Sequence, residues 1–347
     1  MQDNNLAAGK KICCFGEMLL RFSPKLDGGF IADNSMPVFI GGAELNVATA
    51  LALWHIPVKY CTALPENYLA EEIIDHIGQK NIDTSSIYFS GERIGSYYLP
   101  QGKDLKNNAV IYDRNYSSFS QLKPGDLDWD EILQDVSWLH FSAISPALNE
   151  NAAAVCLEGL QAASAKNITI SVDLNYRAKL WQYGKQPHEV MPELVKYCQV
   201  IMGNIWALEK LLDIKHDPDF DTFLSKKADY LLQADRSVAE VFATYPACTH
   251  IANTFRFDEG LGIRYYAGLS SRTATVMSSE YATRSIVDKI GSGDCFMGGL
   301  IYGLTNNLPD KDVIEFAAAA AFDKLQQTGD ATTSTIEHIT QTIYNNG

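Results

Sequence analysis

Late in the chain, positions 288–299 read Asp-Lys-Ile-Gly-Ser-Gly-Asp-Cys-Phe-Met-Gly-Gly. Gly291-Ser292-Gly293 can take backbone angles that turn successive N–H groups toward one point. The small apolar residues that follow, from Cys295 to Leu300, start a helix. A helix N-terminus with unpaired N–H groups and a partial positive charge is an anion site. Asp294 falls in the first turn of that helix. A carboxylate there repels phosphate, yet it is well placed to take the proton from a hydroxyl that attacks one. A plain βα turn, whose Asp merely complements the helix dipole, would carry the same residues. Pattern alone sets the two readings level.

Other phosphate-binding patterns fail. Before Gly102-Lys103 the glycine that a Walker loop needs is Tyr97, and Asp104 stands where Ser or Thr belongs. The dinucleotide pattern breaks at Phe296, where a third glycine would follow Gly291-x-Gly293. That gap, and the loop's place near the C-terminus, argue against a dehydrogenase.

Such a turn needs a strand before it and a helix behind it, and the chain repeats that unit. Compact apolar runs predict strands over 11–15, 59–63, 138–141, 168–173, 200–203 and 249–253, and a β-rich stretch ending at 286–287. Between them, 44–54 puts Leu45, Ala48, Leu51 and Ala52 on one helical face, and 69–80 turns Ile73, Ile74 and Ile77 inward. A further helix over 310–326 carries five consecutive alanines at 317–321, small enough for close packing on a neighbour. Short apolar strands alternating with helices argue for an α/β fold, its parallel sheet covered on both faces. Segments 95–99 and 109–113 break the rhythm, alternating like a half-exposed antiparallel pair around a polar loop. A small β flap of this kind suits a lid or a subunit contact, and equally a plain solvent-facing hairpin.

The 347 residues exceed one ordinary domain and fall short of three. At 46% hydrophobic and 20% charged residues, the chain is neither disordered nor collagen-like. Twenty-eight basic against 42 acidic residues leave a net charge of −14, which makes nucleic acid and anionic membrane poor partners. No apolar run reaches the roughly 18–20 residues of a membrane span. Positions 1–10 lack the basic and apolar regions of a secretory leader, so a cytoplasmic protein is expected. Seven cysteines, odd in number and without a CxxC pair, read as reduced buried thiols. The seven histidines show no HxxxH spacing, so no Cys/His metal cage is expected.

Gly41-Gly42-Ala43-Glu44-Leu45-Asn46-Val47-Ala48 early and Gly291-Ser292-Gly293-Asp294 late resemble the two signatures of the ribokinase-like (PfkB) carbohydrate kinases. The resemblance runs from Phe15-Gly16-Glu17 to the alanine-rich helix. It implies a single domain over 1–347, a three-layer α/β/α core with a mainly parallel sheet, and a β-sheet lid formed by about 16–40 and 88–116. It also implies transfer of the γ-phosphate of ATP to a sugar hydroxyl, with Mg²⁺. Asp294 would be the catalytic base, Gly291, Ser292 and Gly293 the anion hole, and Gly41, Gly42 and Asn46 part of the sugar site. Asn204, Thr254 and Arg256 would join Gly291 and Gly293 around the nucleotide, and the lid would join two subunits in a homodimer.

Within the family, Tyr112-Asp113-Arg114, Asp173-Leu174-Asn175-Tyr176-Arg177 and Val287-Asp288-Lys289-Ile290-Gly291 are similar to the pattern of the 2-keto-3-deoxygluconate kinases. A carboxylate substrate calls for guanidinium forks and hydroxyl donors. Arg177 follows the strand 168–173 at its carboxyl end, where parallel sheets hold ligands, and Asn175 stands beside it. Arg114 follows the second flap strand, and Tyr98 and Tyr112 are expected to point from the flap toward the sugar. Either arginine alone also suits a surface ion pair.

Three positions depart from the family pattern. Ser292 replaces an alanine with little change in volume, and His55 stands where a glycine usually ends the first helix, so that turn must close differently. Ala207 replaces the acidic residue that relatives carry three positions after Asn204, where it organises Mg²⁺ and phosphate through water. Glu209 cannot substitute, since two residues turn it about 200° around the helix. A fructokinase, a nucleoside kinase or a weakly catalytic sugar-binding relative remain the alternatives.

Overall fold

A computed structural model describes residues 9–25, 30–100, 110–217, 220, 227–259 and 262–346. The polar loop expected between the flap strands lies outside the described residues. The chain opens with β1 (Lys11–Phe15), β2 (Leu19–Phe22), α1 (Phe30–Asp33), β3 (Val38–Gly41) and α2 (Ala43–Leu53). Then come β4 (Val58–Leu64), α3 (Tyr68–Gly78), β5 (Ile82–Asp83), β6 (Ile87–Phe89), β7 (Gly95–Tyr98) and β8 (Ile111–Asp113). The middle holds α4 (Trp129–Ile132), β9 (Val136–Ser142), α5 (Glu150–Ala165), β10 (Thr169–Asp173), α6 (Pro187–Val195), β11 (Val200–Met202), α7 (Ile205–Leu212) and α8 (Lys227–Thr244). Last are the antiparallel β12 (His250–Glu259) and β13 (Gly262–Ser271), short β14 (Thr275–Met277) and β15 (Tyr281–Thr283), and α9 (Ser292–Thr305), α10 (Asp310–Lys324) and α11 (Ile336–Asn346).

The main sheet is ordered β14-β13-β12-β11-β10-β9-β1-β4-β5, with β15 beside β13 and β6 beside β4. Its pairings from β12 across to β5 are parallel, and β13 adds an antiparallel edge. Side chains of β1 alternate between two cores, as a period of two requires. Ile12 and Cys14 belong to one core with residues of α2, α9 and α10, whereas Cys13 and Phe15 belong to another with residues of α5, α6 and α7. The layers are therefore helix, sheet, helix. A separate sheet, β3-β2-β7-β8, draws on residues 19–41 and 95–113. Its flap strands β7 and β8 pair antiparallel, with Tyr97 opposite Tyr112.

Four details differ from what the pattern suggested. Helix α2 has no single apolar face, because Glu44 through Leu51 are all buried. His55 takes φ 61°, the left-handed conformation that a glycine would supply, so the turn closes in the usual way with a costlier residue. Strand β12 runs to Glu259, well past the expected 253, because it pairs along its whole length with β13. The β-rich stretch stops at Thr283 rather than at 286–287, where the backbone turns to bond Leu325 instead. All seven cysteines are free and buried.

Candidate active site

A cavity of about 560 Å³ opens at the carboxyl ends of β10, β11 and β12, beside the small sheet. Helix α9 points its N-terminus into it. Gly291 caps that helix at φ 77°, and a Cβ there would sit 1.7 Å from the carbonyl oxygen of Asp330. Only glycine fits such a turn. Among the described residues no side chain caps the helix, and Gly291, Ser292, Gly293 and Asp294 all line the cavity.

Asp294 is 8% exposed, and its Oδ2 accepts a 2.7 Å hydrogen bond from Asn46 Nδ2. Burial pushes its carboxyl up to about 7, with the Asn46 bond and the Arg177 charge pulling the other way. The Oδ1 of Asn46 is buried without a hydrogen-bond partner among the described residues, beside the same cavity. An orphaned acceptor next to a raised carboxyl is suited to a ligand hydroxyl. Asp173, at the end of β10, is a second buried carboxyl on the wall; burial, then the nearby Asp294, pushes it to about 8.

The expected residues are not all brought together. Gly42, Asn46, Tyr112, Arg114, Asn175, Arg177, Asn204, Thr254 and Arg256 line the cavity with the turn residues. Tyr98 does not. It stacks on Phe22 with ring centroids 5.0 Å apart, because strand alternation gives the inner position to Tyr97. Gly41 also stays off the wall, since a Cβ at that position would lie 2.2 Å from Asp330 Oδ2, which packs there. Arg114 reaches the wall already neutralised, with Nε 2.7 Å and Nη2 2.5 Å from Glu17 Oε2. Ser117 donates to the other oxygen of Glu17. Arg177 makes no ion pair with a described residue, and its Nη1 donates to the carbonyl of Tyr176 at 3.1 Å.

Asp330, Glu17, Arg21 and Asp173 had no assigned part in the sequence reading. Asp330 lies on the cavity wall and accepts from Tyr97 at 3.2 Å and from Arg21 at 2.7 Å. A lone Gly-Asp pair is its only local signal, whereas Glu17 and Asp173 sit inside segments whose family likeness could have drawn attention to them.

The described residues around Asn204 do not build a protein-held magnesium site. Asn204 Oδ1 caps α7 by accepting from the Ala207 N–H at 2.9 Å, and Ala207 itself is buried on the wall without a donor atom in its side chain. Glu209 turns away toward His216 at 3.5 Å. Among the described residues no group of three or more His, Cys, Asp or Glu could hold a metal ion.

The pattern of the pfkB family of carbohydrate kinases matches residues 9–337. The 2-dehydro-3-deoxygalactonokinase of Haloferax volcanii is 26% identical over 335 residues, covering 96% of each chain. The 2-dehydro-3-deoxygluconokinase of Bacillus subtilis is 23% identical over 319 residues, 91% of this chain and 90% of that one. The crystal structure of 2-dehydro-3-deoxygluconokinase from Thermotoga maritima superimposes with a TM-score of 0.86 at 32% identity, covering 96% of this chain and 99% of that one. Agreement over that length, on the same fold, means that the chain belongs to the pfkB family and is a carbohydrate kinase.

Proposed function

We propose that the protein transfers the γ-phosphate of ATP to a hydroxyl of a 2-keto-3-deoxy sugar acid, most simply 2-keto-3-deoxygluconate. The carrying observation is Asp294: a buried carboxyl with a raised pKa, in the first turn of α9, facing a cavity. Ionised, Asp294 takes the proton of the attacking hydroxyl. That oxygen bonds to the γ-phosphorus while the bond to the β-bridging oxygen breaks and ADP leaves. The N–H groups of the Gly291–Gly293 turn hold the phosphoryl oxygens. Asn46 positions Asp294, and its free Oδ1 accepts from the sugar. Asn204, Thr254 and Arg256 line the end of the cavity suited to the nucleotide.

Arg177 supports an acid substrate, as do the activities named for the Haloferax and Thermotoga relatives. Leu19, Tyr97, Tyr112 and Arg114 bring the small sheet to the cavity, which supports a lid. Val38 and Ile111 are exposed on that sheet, which supports a homodimer through it. Seven reduced thiols fit a cytoplasmic protein.

A second reading, a fructokinase or nucleoside kinase acting on a neutral sugar, is favoured by the pairing of Arg114 with Glu17, which leaves one fewer cation for a carboxylate. The test of the leading reading is Asp294→Asn in an ADP-release assay over sugars and sugar acids. The variant should bind ATP and sugar acid as wild type does and turn over about 10²–10⁴-fold more slowly. Full activity in that variant, or no turnover of any sugar acid by wild type, overturns the proposal.

A further inference from the structure

Arg21 is 2% exposed, although it belongs to β2 of the small sheet rather than to the main core. Its Nη2 donates to Asp288 Oδ2 at 2.8 Å and its Nε to Asp330 Oδ1 at 2.7 Å, while the Phe39 ring lies 4.3 Å from the guanidinium carbon. Both acceptors reach the turn ahead of α9. Asp288 Oδ1 accepts the N–H of Ile290 at 3.0 Å, one residue before Gly291. Asp330 presses its carbonyl against Gly291, so closely that a Cβ there would meet it at 1.7 Å. Tyr97, on the neighbouring strand β7, donates to the second oxygen of Asp330 at 3.2 Å.

Lys324 is fully buried behind Gly291, its Nζ 3.3 Å from the Gln327 carbonyl; burial lowers its pKa, while Asp288 and Asp330 pull it up. Two carboxylates thus share one guanidinium in a low-dielectric pocket. A buried ion cluster of this kind adds little stability over an apolar filling, and its distinctive product is fixed geometry. A guanidinium fork spans two separate carboxylates in a way that an ammonium cannot.

We infer that Arg21 is a positioning residue that ties the small sheet to the Gly291–Gly293 turn, so that the seating of the sheet sets the anion-hole geometry. The inference rests on the anion-hole reading of that turn. When Arg21 is in place, β2 and β7 hold Leu19 and Tyr97 against the cavity, and Asp288 holds the turn. When it is not, the turn and the cavity wall lose their shared anchor and water reaches the site.

The test compares wild type, Arg21→Lys, Asp288→Asn and the double variant, using ATP and 2-keto-3-deoxygluconate. ADP released and sugar phosphate formed are both measured, with thermal melts to verify folding. Each single variant should slow sugar phosphorylation about 10–100-fold. The ratio of ADP to sugar phosphate should rise above one, a readout that a lost active fraction would leave unchanged. The double variant should be no worse than the poorer single one, because both changes break the same link. If Arg21→Lys does not fold, Asp288→Asn alone carries the test through the same ratio. A folded variant with a ratio of one and a rate within about twofold of wild type overturns the inference, as do additive losses at a ratio of one. A wild-type protein that phosphorylates no sugar acid overturns the kinase reading instead, and the two failures are distinct.

Discussion

Asp294 must be ionised to accept a proton, and burial sets its carboxyl at about 7. kcat/KM should therefore fall about tenfold per pH unit below pH 7, with an acid limb far above that of an ordinary aspartate. A pH–rate profile checks this, and a limb near pH 4 would contradict it. Arg177 pulls Asp294 and Asp173 downward and brings to the wall a guanidinium without an ion pair to any described residue. Arg177→Met should raise KM for the sugar acid about tenfold or more and shift the acid limb upward. An unchanged KM would favour a neutral sugar. Much of this site was legible, because glycines and an aspartate at a helix start announce themselves locally. The fate of Arg114 was not. Its charge is cancelled by Glu17, nearly a hundred positions away in sequence, and no local pattern carries that information. Tyr98 shows the same limit at closer range, since a shift of one residue in strand phase exchanges it with Tyr97.

Helix α9 owes its placement to α10. Gly299 lies against the Ala317 backbone, where a Cβ would come within 2.6 Å of the Ala317 Cα, and Gly303 meets Val313 in the same way. The alanine run thus serves close packing, as its composition suggested. Gly299→Val should destabilise the fold by about 1–3 kcal/mol, because backbone rather than a flexible side chain must give way. Thermal unfolding would measure it, and an unchanged melting temperature would contradict the packing. Apolar strands and their following helices were readable because burial on both faces leaves an unbroken hydrophobic run. Strand β13 and the far half of β12 were not, since their mixed residues become strand by pairing with each other at the sheet's edge.

At the scale of the molecule, the cavity keeps Asp173 and Asp294 in raised-pKa surroundings at a thermodynamic penalty. The folded pKa of Asp173 lies near 8 against 3.8 for an unperturbed carboxyl. The native state therefore binds more protons between those values, and stability falls as pH rises through the window. Asp173→Asn should remove that penalty. Its advantage over wild type should be absent below pH 3.8, widen through the window and level off above pH 8, at on the order of 1–3 kcal/mol. Denaturant unfolding across pH tests the sign, and a variant less stable than wild type at pH 9 would refute it. The net charge of −14 said nothing of this, because it counts acids without saying which of them are buried.

The enclosed thiols have a practical corollary. Burial raises Cys13, Cys248 and Cys295 to about 12 and holds the other four above their usual range, so almost no thiolate exists in the native state near neutrality. An alkylating reagent will pass over the native chain, and a molecule that opens fully exposes seven nucleophiles at once. Counting labels by mass would register unfolding events one molecule at a time, with no reporter added to the sequence.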